Sequence, residues 1–191
     1  MNTFFHAAAP KEAARFSSAL TLEDLTNVPR VGIRGKAAAD YLKTAGFALP
    51  ETANRLCRAE TGALTLRLSA SEYLLLGLDA DGARVQALEA SLPNTGEGGL
   101  YALPRRDSHV WFRISGARRH EAMAKLCGVD LSPGAFARDA LAQTSVAAVS
   151  AIVAGDGGGE CVGAFHLLVD SAFAAYFQAS LLDALTEFHG C

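Results

Sequence analysis

Residues His109–Leu131 read HVWFRISGARRHEAMAKLCGVDL. Val110, Phe112 and Ile114 alternate with Trp111 and Arg113, the two-residue period of a strand with one buried face. Ser115-Gly116 ends the run, and Ser115 is placed to cap the helix that follows. Met123, Leu126 and Cys127 then share one helical stripe, with Gly128 where a helix-terminal glycine belongs. A weaker copy lies upstream. There Arg30–Ile33 is the strand, Gly35 the corner, Ala38, Tyr41, Leu42 and Ala45 the stripe, and Gly46 the stop. Ile33 and Gly35 take the places of Ile114 and Gly116, so the chain is read as two related halves.

Working outward, residues 1–20 read as an arm with a short helix from Lys11 to Ala19, and Thr21–Pro29 as a connection. The first half, 21–92, then holds strand Arg30–Ile33, helix Lys36–Ala45, loop Phe47–Glu60, strands Ala63–Ser69 and Glu72–Leu78, and helix Ala83–Leu92 capped by Asp81. Residues 93–108, with glycines, prolines and Arg105-Arg106 but no sustained period, read as the connector. The second half, 109–191, repeats the order: strand His109–Ile114, helix Ala117–Cys127, strand Gln143–Val153, a glycine turn at Gly155–Gly159, strand Phe165–Asp170 and helix Ala172–Phe188. That last helix carries Phe173, Phe177, Leu181, Ala184, Leu185 and Phe188 on one stripe, with Ser171 as its cap. Tyr73-Leu-Leu-Leu76 matches Phe165-His-Leu-Leu168. The expected class is α+β: two tandem β-α-β-β-α lobes with largely antiparallel sheets.

The 191 residues suffice for a sizeable core, and the net charge of −3 gives no electrostatic reason to expect nucleic acid or an anionic membrane. No apolar run approaches the roughly 18–20 residues of a spanning helix. The first residues lack the charge order of a secretory signal, and Cys57, Cys127, Cys161 and Cys191 are widely spaced. Reduced thiols in a cytoplasmic protein are the expectation.

Few motifs carry chemistry. Gly155-Asp-Gly-Gly-Gly-Glu160 fails the Gly-x-Gly-x-x-Gly pattern and leads into a strand, so it reads as a turn. Cys161 and His166 lie five apart, without metal-ligand spacing. No serine sits in a nucleophile elbow, and Cys127 falls on a core stripe. Arg118-Arg119-His120 reads as a solvated helix face, and Gln143-Thr144-Ser145 as a sheet edge. No catalytic, cofactor-binding or metal-ligating residue is therefore expected. The candidates for a subunit interface are Arg105, Arg106, Trp111 and Arg113, with Phe4, Phe5 and Tyr101 as further anchors.

VPRVGIRGKAAADYL, LSASEYLLL, WFRISGARRHEAMAKLCGVDL, AQTSVAAVSAIV and FHLLVDSAFAAYFQASLLDAL occur in that order. Together they resemble the gamma subunit of heterotetrameric sarcosine oxidase, within the wider folate-binding aminomethyltransferase superfamily. The resemblance covers roughly residues 20–188. It implies a non-catalytic accessory chain in a complex that oxidatively demethylates sarcosine and passes the carbon to tetrahydrofolate. It places flavin, NAD, tetrahydrofolate and zinc on alpha-, beta- and delta-type partners, and none in this chain. The chain is about half the length of the aminomethyltransferases and lacks the Lys-Gly-Cys-Tyr motif of the iron–sulfur-assembly relatives. The alternatives are a stand-alone folate-binding or aminomethyltransferase-like domain, in which Trp111 and Asp107 would serve the pterin, and a homo-oligomer without partners.

Overall fold

The computed structural model describes residues 14–17, 20–93, 96–157 and 163–188. The chain opens with strands β1 (Ala14–Ser17), β2 (Leu20–Asp24) and β3 (Arg30–Arg34), then helix α1 (Ala38–Thr44). Strands β4 (Arg55–Arg58), β5 (Leu64–Arg67) and β6 (Glu72–Leu76) precede helix α2 (Gly82–Ser91). A short strand, β7 (Tyr101–Leu103), and a single helical turn, α3 (Arg105–Ser108), lead into β8 (His109–Ser115) and α4 (Arg119–Ala124). Strands β9 (Leu141–Val146), β10 (Val149–Asp156) and β11 (Ala164–Asp170) are followed by α5 (Ala174–Leu185).

The expected α+β class with antiparallel sheets is what these elements form. One sheet runs β1-β2-β8-β11-β10-β9 and the other β4-β5-β6-β3-β7. The repeat is visible in the strand register. Ile33 pairs with Tyr73, and Ile114 pairs with Phe165. The corners agree too, with Gly35 at φ 129° and Gly116 at φ 123°, a region that favours glycine. A Cβ on Gly35 would lie 1.9 Å from the Gly99 carbonyl oxygen, so that corner also needs glycine for space.

The two halves exchange their leading strands. β2 precedes β3 in the chain but pairs with β8, whereas β7 precedes β8 but pairs with β3. The chain therefore crosses between sheets twice, once on each side of the first half. Strand pairing joins 21–92 to 109–191 through β2 and β8, and β7, from the connector, completes the sheet of the first half. The five-stranded sheet is built from consecutive strands, β3 to β7, whereas the six-stranded sheet draws β1 and β2 from before that stretch and β8 to β11 from after it.

The sheets pack face to face, with α1 and α2 covering the outside of one and α4 and α5 the outside of the other. Val31, Ile33, Tyr73 and Leu75 face Leu42, Val85 and Leu88. Phe112, Ile114, Phe165 and Leu167 face Met123, Phe177, Leu181 and Leu185. Between the sheets Leu64, Leu66, Leu74 and Leu76 meet Trp111, Ala154 and Leu168. Each large buried side chain contributes about 1.5–3 kcal/mol gross.

The repeat register places Arg30 in the position that Trp111 holds in the other half, and both are fully buried between the sheets. The Arg30 guanidinium donates to five carbonyl oxygens. Nη1 reaches Thr26 and Val28 at 2.7 and 3.1 Å, in the first crossing. Nε reaches Arg105 and Nη2 reaches Arg106, each at 3.1 Å, and Nη2 also donates to His109. These three carbonyls belong to the second crossing and its end. All five N–H donors of the fork are met. Burial, then the charge of Arg106, pushes the Arg30 pKa down to about 10, so it stays charged at neutral pH.

Several expectations are corrected. Both halves hold more strands than their hydrophobic pattern indicates. In the first half, β4 lies inside the expected loop Phe47–Glu60. In the second, the expected strand Gln143–Val153 is a hairpin, turned at Ala147 and Ala148 with φ 48° and 63°. β2 lies in the expected connection and β7 in the expected connector. Residues 14–17 form a strand, not part of a helix, because β2 offers them an edge to pair with. Phe4, Phe5, Cys161, Cys191 and the glycines at 158–159 lie outside the described residues, and β10 runs through Gly155 into Asp156. The expected caps differ as well. Asp81 accepts from Thr61 Oγ1 and from the Ala63 N–H, not from its own helix. Asp170, not Ser171, caps the last helical segment through the Ala172 N–H at 2.8 Å. No side chain caps α4, and Ser115 stays in β8. Phe173 leaves the stripe of α5 because its 3₁₀ turn has a tighter period, and it is 47% exposed.

Two predictions follow from the backbone. Arg30→Met removes the shared donor of both crossings and is expected to destabilise by about 3 kcal/mol or more, read as a lowered urea midpoint. Arg34→Ala, at an exposed position of the same strand, is expected to change it by less than about 0.5 kcal/mol. Ala148→Gly relieves a left-handed alanine and is expected to stabilise by about 0.5–1 kcal/mol in the same assay.

Candidate functional site

The four interface candidates occupy four different environments. Trp111 is fully buried between the sheets, so it has no face for a partner or for stacking a pterin beside Asp107. The strand period placed it correctly opposite Val110 and Phe112, but the face it occupies is covered by the second sheet. Arg113 makes a two-pronged pair with Glu23, its Nη2 lying 2.7 Å from Oε1. Arg105 pairs with Glu72 at 2.7 Å and lies against Gly32, where a Cβ would be 2.9 Å from its Nε. Arg106 alone among the four is exposed.

A chain of polar groups links the two sheets where hydrophobic side chains otherwise meet. The Trp111 Nε1–H donates to His166 Nδ1 at 3.0 Å, which leaves the ring proton of a neutral His166 on Nε2. His166 Nε2 lies 3.5 Å from Asp156 Oδ2, too long for a good hydrogen bond. Asp156 is held from the opposite sheet by Arg58, which donates to both of its oxygens. His166 is fully buried. Burial holds its pKa below the usual imidazole value, against the opposing pull of Asp156. Gln143, on edge strand β9, makes a further polar link, donating to Asn54 Oδ1 at 3.0 Å and to the Leu68 carbonyl at 2.8 Å. None of these pairs has a sequence signature, since Arg58 and Asp156 come from different halves.

A cleft of about 430 Å³ opens at the end of the β10–β11 pair, lined by Arg119, His120, Phe136, Arg138, Asp156 and Phe165 among others. Arg119 and His120, expected on a solvated face, both turn into it. Arg118, the third member of that cluster, pairs with Glu121 at 2.7 Å and lies over the Phe188 ring at 4.5 Å. Among the described residues no three His, Cys, Asp or Glu side chains come together as a metal-binding group, and no helix is long and apolar enough to cross a membrane. Cys127 is buried in the core, as its stripe predicts, and burial raises the thiol pKa of Cys57.

No family model matches the chain, and no curated protein does. Among solved structures, a chain of the heterotetrameric sarcosine oxidase from Corynebacterium sp. U-96, in complex with pyrrole 2-carboxylate, matches with a TM-score of 0.72. The match covers 90% of this chain and 86% of that one at 22% sequence identity. It shows a shared fold over nearly the whole of both chains, and it meets the expectation of fold drawn from the sequence.

The histidines make stability pH-dependent in one direction. His109 is pushed down to about 4 by burial and by Arg105. His120 and His166 are lowered as well, in both cases chiefly by burial. The unfolded chain takes up these protons near the ordinary value of 6.5, while the folded chain resists them. Stability is therefore complete above that value and is lost progressively as pH falls toward about 4. Urea midpoints at about pH 7.5 and about pH 5 are expected to differ, with the acidic one lower. His166→Gln is expected to narrow the difference; an unchanged difference would show that His166 does not contribute.

Proposed function

We propose that this chain is a non-catalytic, gamma-type accessory subunit of a heterotetrameric sarcosine oxidase-like complex in the cytoplasm. In this reading alpha-, beta- and delta-type partners carry the flavin, NAD, tetrahydrofolate and zinc sites, and this chain contributes fold and surface. The observation that carries the reading is the match, nearly end to end on both sides, to a chain of a heterotetrameric oxidase.

The surface supports it. Among the described residues, Tyr101, Phe173, Tyr176 and Leu182 are the large hydrophobic side chains left exposed. Residues 172–182 contain no charged side chain, although α5 presents much of that stretch to solvent. Interface centres are depleted of charge and enriched in aromatic residues. Exposed Arg106 is the member of the original four that remains available to a partner, since Arg105 and Arg113 are paired within the chain.

Co-expression with large flavoprotein subunits of this oxidase class is expected to yield one complex that elutes together, with sarcosine demethylation confined to fractions that contain the partners. Arg106→Glu is expected to fold normally and to lower the salt concentration at which the complex dissociates. A wild-type chain that co-purifies with no such subunit, or that demethylates sarcosine alone, would overturn the assignment.

A further inference from the structure

We propose that His166 is an acid-operated switch in the link between the two sheets: on taking a proton from solvent at Nδ1, it releases the Trp111 indole and turns to Asp156 as a cation. The inference concerns this chain's own residues and does not rest on the subunit assignment.

The geometry fixes which ring nitrogen is free to take the proton. The Trp111 Nε1–H can only donate, so His166 Nδ1, 3.0 Å away, accepts with its lone pair. The one proton of the neutral ring is then on Nε2. That N–H is buried and has no hydrogen-bond partner among the described residues. Asp156 Oδ2 lies 3.5 Å from it. The neutral ring therefore makes one good bond and leaves one buried donor unmet, an arrangement that carries a desolvation cost.

A second proton reverses the balance. Protonated Nδ1 is a donor and meets the indole N–H, another donor, across the same 3.0 Å, so that bond is lost. Nε2–H then belongs to an imidazolium and faces a carboxylate, which makes a charge-assisted pair. The ring exchanges Trp111 for Asp156, and Arg58 holds Asp156 from the opposite sheet. Acid thus frees the indole while tightening the polar tie across the interface.

The surroundings set the pH at which this happens. Among the described residues, the charged groups that act on the ring are Asp156 on β10, Arg113 on β8 and Arg58 on β4. Asp156 draws the proton on, and the two arginines oppose it. Arg113 lies opposite His166 in the strand register and is offset by Glu23 on β2. Burial opposes the cation most, so the exchange falls below the ordinary imidazole value of 6.5. His109, two residues before Trp111 on β8, has a partner of its own, with Nδ1 2.8 Å from Ser108 Oγ.

Trp111 makes the switch visible. It is the chain's 1 tryptophan, so a single indole N–H resonance reports on it. Its ring centroid lies 5.5 Å from that of His166, close enough for an imidazolium to quench indole emission.

The test is a pH titration of the full chain, followed by nitrogen-15 NMR of the indole and imidazole groups, tryptophan emission and far-UV circular dichroism. At neutral pH His166 is expected to carry its proton on Nε2. Below pH 6.5 the indole N–H resonance is expected to move and the emission to fall while the circular dichroism keeps its folded value. These readings need no variant. His166→Gln keeps an acceptor for the indole but cannot titrate, and it is expected to remove both changes. His109→Gln is expected to leave both in place. Asp156→Asn removes the attracting charge and is expected to lower the midpoint by about one pH unit. A neutral His166 with its proton on Nδ1, or an indole signal that changes only as the chain unfolds, would overturn the proposal. So would changes that persist in His166→Gln or vanish in His109→Gln, or an unmoved midpoint in Asp156→Asn.

Discussion

The fold depends on the fully buried Arg30 side chain and the five carbonyls around it. A buried guanidinium costs several kcal/mol in desolvation unless its donors are met. Here they are met by backbone carbonyls at the two crossings. Thr26 and Val28 lie where the chain leaves one sheet, and Arg105, Arg106 and His109 lie where it returns. The strand exchange and the buried charge explain each other: the crossings supply the acceptors, and the arginine fixes the crossings.

The other half solves the same packing problem differently. At the position equivalent to Arg30 stands Trp111, which fills the space with an indole and passes its single N–H to His166. The polar connection between sheets then continues from Asp156 to Arg58 across the interface. The two halves thus differ at their shared interior position. One uses charge to bind backbone, and the other uses ring volume plus a titratable pair. Both devices tie the sheets into one body. At the surface lie the arginine-lined cleft and the uncharged face of α5.

Legibility from sequence followed the same division. Both corner glycines, both corner helices and the central strands β3, β5, β6, β8 and β11 could be read, because each has a clear period and a local stop. β4 and β7 could not, since they have four and three residues and their side chains alternate too briefly to register. β2 carries Leu20 and Leu22 on its buried face, but they sit in a stretch that leads into a proline and reads as a connection. The β9–β10 turn uses two alanines where asparagine or glycine would have announced it. The exchange itself has no local signal. Nor does the cleft, whose arginines, histidine and phenylalanines come from a helix, a loop and a strand that meet only in the folded chain.

If the exchanged strands make the two halves a single body, the halves cannot open separately. Native-state amide hydrogen exchange tests this most directly, by comparing Ile33 and Tyr73 in one sheet with Ile114 and Phe165 in the other. The account predicts one common opening free energy, equal to that of global unfolding, with the same denaturant dependence for all four amides. Separate values for the two sheets, with one opening while the other stays protected, would contradict it.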